Sequence, residues 1–327
     1  MGKIKLLLNV GTCFSATSPF HFTTSLDHKC VWTGHVKEPQ YLYSMMMGEK
    51  QIREDVGVMC KDAKDKEHLE KMWVEISQFG QKPPSLDVHS EYIEGKWSSD
   101  QVNEFFRSPL SIEKYIRYFT RHWENVKGTF EWVGDFSNQN AVLSTPFMLS
   151  IRDELLEHFD IKVTMQFRDP IRRLFSSCNK NVKLGYEGEK SPIEVMEEWV
   201  SRKGAGGRFV FEDNAYYSQI YERHVEMWGK ENVKAFVMEE FWNPDREKEQ
   251  LEILSDFLNY KFTKIHENCY YPDMGANAPR YKYLGDQFSS DMIDMTDELY
   301  KLCFSHMSEI YSDFIKTFGY MPDEWGK

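Results

Sequence analysis

Apolar residues fall into short dense runs separated by stretches with helical spacing, and the two rhythms alternate along most of the chain. Lys5 to Val10 is an apolar run broken only by Asn9 and ended by Gly11, which predicts a buried strand. A loop of small and hydroxyl residues follows to Ser18, with Pro19 suited to the first turn of a helix. Cys30 to Thr33 predicts a second short strand. From Ser44 to Ser108 the pattern weakens: a charged helical stretch, Lys61 to Gln78, gives way to the break at Lys82-Pro83-Pro84, and the segment reads as an insertion or lid. Order returns with a helix over Ser111 to Trp123, its stripe formed by Ile112, Tyr115, Ile116 and Phe119. A strand over Thr129 to Val133, a helix opened by Pro146 and carrying Phe147, Ile151, Leu155 and Leu156, and a strand over Asp160 to Phe167 come next. Pro170 starts another helix. Helix, strand and helix are then predicted over Asn214 to Trp228, Asn232 to Met238 and Asp245 to Leu258. A long helix over Asp291 to Phe318 turns Met295, Leu299, Leu302, Ile310, Phe314 and Phe318 inward and is stopped by Gly319.

Strands alternating with helices predict an α/β fold: a mainly parallel central sheet flanked by helices, built as a single domain over residues 1–327. Ligands of such sheets bind at the carboxyl ends of the strands, so the residues just after each strand carry the functional information.

Composition changes this picture little. With 41% hydrophobic and 15% aromatic residues the chain has ample material for a core. A net charge of −12 argues against a general nucleic-acid binder, although a local basic pocket is compatible with it. Cys13, Cys30, Cys60, Cys178, Cys269 and Cys303 are scattered without a CxxC pair, which predicts free thiols and no metal site. The apolar run after Lys3 and Lys5 is too short for a signal-peptide core or a membrane span, and Leu6 breaks the myristoylation pattern. The expectation is a soluble, cytoplasmic protein; no signal fixes its oligomeric state.

Two strand ends carry candidate chemistry. After the first strand, Gly11-Thr12-Cys13-Phe14-Ser15-Ala16-Thr17-Ser18 leads into a helix, where backbone N–H groups and hydroxyls cradle an anion. With one glycine and no Walker lysine, this loop taken alone reads as an ordinary strand-to-helix turn. After the strand ending at Phe167 stands Arg168-Asp169-Pro170-Ile171-Arg172-Arg173-Leu174-Phe175-Ser176. Ser176 lies about two turns along the helix, on the face that begins near Arg168. A guanidinium fork with a hydroxyl makes a receptor for a second phosphate; Ser177 is the alternative ligand if the helix is rotated.

Arg168-Asp169-Pro170 with Arg173 and Ser176 resembles the 3′-phosphate-binding signature of sulfotransferases that use 3′-phosphoadenosine 5′-phosphosulfate (PAPS). Weaker matches follow in chain order: the hydroxyl-rich first loop resembles the family's 5′-phosphosulfate loop. Lys37-Glu38-Pro39-Gln40-Tyr41 resembles a segment of the carbohydrate-type branch, and Gly134-Asp135-Phe136-Ser137 its acidic-x-Ser motif. Tyr216-Tyr217 to Trp228 resembles its tyrosine-bearing helix, Met238-Glu239-Glu240-Phe241 the following strand end, and Asp256-Phe257-Leu258 a helix end. The resemblance covers residues 4–42 and 111–327. It implies a P-loop-like fold, PAPS as donor, PAP as product, no metal, and a hydroxyl acceptor of carbohydrate type; the unmatched residues 44–108 are expected to shape the acceptor site.

The resemblance also implies roles. Ser15, Ala16, Thr17 and Ser18 hold the phosphosulfate; Arg168 and Ser176 hold the 3′-phosphate; Arg280 and Lys282 lie in a loop that closes over the nucleotide. Glu38 is the general base, with His35 the alternative, because an attacking hydroxyl must surrender its proton. The family's loop reads K-x-G-T-T, and here Phe14 stands at the lysine and Ala16 at the glycine. The charge on the leaving phosphate then falls to Lys37 and to the donors of Ser15, Thr17 and Ser18, with His21 one turn further on. Two other readings compete: a P-loop kinase-like phosphotransferase, against which stands the missing GxxxxGK[ST], and a non-catalytic binder of PAP or carbohydrate.

Overall fold

The computed structural model describes residues 2–13, 15, 17–33, 39–48, 109–183, 185–201, 216–265 and 295–326. Phe14, Ala16, His35, Lys37, Glu38, Arg280 and Lys282, with the helical stretch and proline break expected in 61–84, lie outside them.

Strand β1 (Ile4–Asn9) is followed by α1 (Thr17–His21), which runs on through a π-helical turn, Phe22–Asp27, toward β2 (Val31–Trp32). Residues 41–48 form α2. Then come α3 (Ile112–Val126), β3 (Trp132–Asp135), α4 (Thr145–His158), β4 (Phe159–Phe167), α5 (Pro170–Lys183) and α6 (Pro192–Ser201). The remaining elements are α7 (Tyr217–Trp228), β5 (Val233–Val237), the single turn α8 (Met238–Phe241), α9 (Glu247–Leu258) and α10 (Asp297–Phe318). Side chains close three helix starts: Ser111, Ser144 and Thr296 accept the N–H groups of Lys114, Phe147 and Leu299, the last helix beginning at Asp297 rather than at the expected Asp291.

The sheet runs β2-β3-β1-β4-β5, and every pairing is parallel. Leu6 lies opposite Val133 on one side and Ile161 on the other, so β1 is the central strand. Its alternation sorts two cores. Leu6 and Leu8 pack with Ile116, Leu155, Tyr217 and Phe314, while Leu7 packs on the other face with Phe20, Phe236 and Leu254. Each fully buried leucine of this kind contributes roughly 1.5–3 kcal/mol. The α/β fold with a mainly parallel, helix-flanked sheet is therefore what the chain adopts.

Two elements differ from expectation. The third strand is Trp132–Asp135, shifted from the Thr129 to Val133 expected, and so takes in Gly134 and Asp135. Gly134 is there for space: a Cβ would lie 2.5 Å from Val31 Cγ1 and 3.0 Å from Phe136 Cε2. In α10 the buried stripe runs through Leu299, Tyr300, Cys303, Met307, Tyr311 and Phe314, and Leu302 is exposed. The two tyrosines belong to it because their hydroxyls find an acceptor, as shown below.

His224 on α7 is fully buried beside Arg223. Burial, then the neighbouring guanidinium, pushes its imidazole down from 6.5 to about 3. A group depressed in the folded state contributes stability that is complete above its unfolded value and lost as pH falls toward the folded one. Between pH 6.5 and 3 the protein is thus expected to lose up to about 1.4 kcal/mol per pH unit through this residue. Chemical denaturation at pH 7 and pH 4.5 checks this: His224→Asn flattens the slope, and parallel slopes would refute the assignment.

Candidate functional site at the carboxyl ends of the strands

The loop after β1 is bound to β4 before it turns away. Val10 N–H donates to the Thr164 carbonyl (3.0 Å), Gln166 N–H to that of Gly11 (2.6 Å) and Thr12 N–H to that of Gln166 (2.9 Å). The buried Asn9 amide donates to Thr164 Oγ1 (3.0 Å) and Gln166 Oε1 (2.8 Å), fixing the same pair of strands from the side chain. Gly11 has φ +98°, and a Cβ would sit 3.0 Å from the Asn138 carbonyl oxygen, so the turn accepts glycine alone. Beyond it Ser15 N–H donates to the Thr12 carbonyl (3.2 Å) and the two hydroxyls hydrogen-bond at 2.7 Å. Ser15 is buried, Thr17 opens α1 and is also buried, and Ser18 is the second residue of that helix. His21 is buried, with Nε2 3.1 Å from Thr33 Oγ1 and its ring edge on Phe136, so it ties α1 to the end of β2.

At the end of β3, Asp135 is fully buried and accepts from Tyr115 OH (2.8 Å), Ser137 N–H (2.9 Å) and Asn140 Nδ2 (3.3 Å). Burial pushes its carboxyl up, against the pull of these donors. The Ser137 hydroxyl accepts the Gln40 N–H at 2.8 Å, anchoring the chain two residues beyond Glu38. The acidic-x-Ser segment is thus scaffold: its aspartate sets the turn and its serine holds the entry to α2.

The end of β4 brings the predicted pair together. Arg168 Nη1 donates to Ser176 Oγ at 2.8 Å, and that hydroxyl donates to the Arg172 carbonyl at 3.0 Å. Both side chains keep part of their surface exposed, whereas Ser177 is fully buried. Of the two serines, Ser176 is the one beside the guanidinium. Asp169 caps α5, accepting from the N–H groups of Ile171 (2.9 Å) and Arg172 (3.1 Å). Its oxygens also take the hydroxyls of Tyr300 (2.5 Å) and Tyr311 (3.1 Å), which explains the tyrosines in the buried stripe of α10. Tyr217 stacks on Phe167 at 4.4 Å and donates to the Arg168 carbonyl at 2.6 Å. Backbone and side chain of Arg168 are therefore held separately.

Glu239, directly after β5, accepts the Asp169 N–H (3.0 Å) and the Trp325 indole N–H (3.0 Å). Burial pushes its carboxyl up. The sequence marks Met238-Glu239-Glu240-Phe241 only as a strand end and Tyr217 only as helix core. Trp325, Tyr300 and Tyr311 carry no local signal, since their partners stand far away in the chain. Among the described residues, no three His, Cys, Asp or Glu side chains gather as a metal site would, and no helix is long and apolar enough to cross a membrane.

Parallel strands in the order 2-3-1-4-5, with candidate anion-binding residues after β1 and β4, define an α/β protein of P-loop-like architecture. The chain is similar in fold to a sulfotransferase from Alicyclobacillus acidocaldarius, seen in its crystal structure, with a TM-score of 0.54 and 14% identity over 100% of both chains. A sulfotransferase domain from the curacin biosynthetic pathway matches 94% of this chain and 98% of its own at 13% identity, with a TM-score of 0.44. No family model and no curated protein sequence matches the chain. At 14% identity the likeness to the first of these is one of fold.

Proposed function

We propose that this chain moves a sulfuryl group from PAPS to a hydroxyl acceptor, a carbohydrate or small glycoside, and releases PAP. The observation that carries the reading is the pairing of Arg168 with Ser176 on the end of β4, the strand to which the hydroxyl-bearing loop after β1 is also bound. One strand end with two separate anion receptors suits a nucleotide phosphorylated at two positions. Arg168 and Ser176 would take the 3′-phosphate, and residues 15–18 the phosphosulfate.

In the reaction the acceptor oxygen forms a bond to sulfur while the bond from sulfur to the bridging phosphate oxygen breaks, its electron pair leaving with PAP. Glu38 takes the hydroxyl proton, with His35 the alternative base. Lys37 answers the charge that grows on the leaving phosphate, since Phe14 stands where a lysine is expected. Arg280 and Lys282 close over the nucleotide, residues 44–108 shape the acceptor pocket of this single domain, and no step is assigned to a metal. The enzyme would work in the cytoplasm, where the buried free thiols of Cys30, Cys178 and Cys303 stay reduced.

Calorimetry tests the reading: PAP is expected to bind about tenfold or more tighter than AMP, one charged hydrogen bond being worth that much. Equal affinities would overturn it. Phe14 favours a second reading, a PAP binder without turnover; activity gained in Phe14→Lys and absent from the wild type over a broad acceptor panel would establish it.

A further inference from the structure

Residues 319–326 leave α10 at Gly319 and fold back over the ends of β4 and β5. Tyr320 donates its hydroxyl to Glu240 Oε2 (3.1 Å), and the Trp325 indole N–H meets Glu239 Oε2 (3.0 Å). Gly326 N–H donates to Tyr300 OH (2.8 Å), itself bonded to Asp169. Trp325 is 1% exposed and packs on Phe314, Tyr311 and Tyr217. One oxygen of each glutamate that follows β5 is thus taken by this segment, the other Glu240 oxygen pairing with Arg246.

Glu239 is the hinge of the arrangement. One of its oxygens holds Trp325 and the other holds the backbone N–H of Asp169, the residue after Arg168. A chain of direct contacts therefore runs from the Trp325 indole through Glu239 to the peptide that carries Arg168. On the far side of that peptide Tyr217 holds the Arg168 carbonyl (2.6 Å), and the Arg172 guanidinium lies 5.4 Å from the centre of the Tyr300 ring. Packing needs an aromatic ring at 325, and the carboxylate additionally needs its N–H.

We propose that Trp325, acting through Glu239, is a positioning residue for the Arg168–Ser176 anion site, making recognition of a 3′-phosphate depend on the segment after α10. The inference rests on the reading of Arg168 and Ser176 as phosphate ligands. Trp325 touches no ligand itself. Without its N–H, the Glu239 carboxylate keeps an unanswered oxygen and shifts, and the peptide between Arg168 and Asp169 shifts with it.

Trp325→Phe keeps an aromatic ring and removes the indole donor; Glu239→Gln, at nearly constant volume, leaves a single acceptor oxygen for the N–H groups of Trp325 and Asp169, so the relay is cut at one end or the other. PAP and AMP affinities are measured by calorimetry on the full chain for the wild type, both variants and Arg168→Ala. The preference for PAP over AMP is expected to fall about tenfold in each latch variant, the size of one charged hydrogen bond, with AMP affinity unchanged. A merely structural loss weakens both ligands together and overturns the proposal, as does an unaltered preference in a folded variant. If Trp325→Phe does not fold, Glu239→Gln decides. If the wild type shows no preference, or Arg168→Ala retains it, the phosphate-site reading has failed and the proposal falls with it. A preference lost in Arg168→Ala but kept in both latch variants refutes the latch alone.

Discussion

Glu38→Gln is expected to lower turnover by about 10²–10⁴-fold, the usual loss on removing a general base, while leaving PAP affinity unchanged. The acceptor hydroxyl is a poor nucleophile until its proton has somewhere to go, and glutamine keeps the shape of the side chain without the basicity. The anchor two residues on, Gln40 N–H to the Ser137 hydroxyl at 2.8 Å, involves no atom of Glu38, so the chain there keeps its course. Steady-state rates at saturating PAPS, with calorimetry for PAP, read the two quantities separately. Near-normal turnover would refute the assignment to Glu38 and transfer it to His35, for which His35→Gln is the matching variant.

Arg168→Ala is expected to weaken PAP by about 10- to 150-fold for each charged hydrogen bond lost, with AMP as the unaffected control. The fold should survive the change. The Arg168 carbonyl remains held by Tyr217, and the Asp169 cap with its tyrosine donors does not involve the guanidinium. Removing the Ser176 hydroxyl deletes a neutral partner and should weaken PAP only about fivefold. Equal PAP affinity in wild type and Arg168→Ala would mean that the guanidinium is structural, holding the Ser176 hydroxyl and no phosphate.

What could be read in advance follows from what is local. β1, β4 and β5 announce themselves as apolar runs because a parallel sheet buries both faces of its strands, and the pairing of Arg168 with Ser176 follows from helical spacing alone. The strand expected over Thr129 to Val133 lies at Trp132–Asp135, because Gly134 and Asp135 carry no local strand signal. One is a glycine forced by Val31, and the other a carboxylate satisfied by Tyr115 and Asn140, conditions set by neighbours in space. The helical stripe puts Leu302 inside and omits Tyr300 and Tyr311 for the same reason: a buried carboxylate distant in the chain, Asp169, rewards hydroxyls in the facing helix. The contribution of Trp325 is likewise invisible until β5 and α10 are packed together.

The central place of β1 has a consequence for how the protein is made. The strand is synthesised well before its partners, which are Val133 to Asp135 on one side and Phe159 to Thr164 on the other. Until those residues have been synthesised, Ile-Lys-Leu-Leu-Leu-Asn has no ladder to join, and its leucines stay uncovered. Closing such distant parallel pairs is slow, because the entropy of loop closure is spent before any contact returns it. A nascent chain of this topology keeps an apolar strand uncovered until its partners arrive, so slower growth at reduced temperature or help from chaperones should raise the yield of soluble protein more than substitutions on the finished surface would.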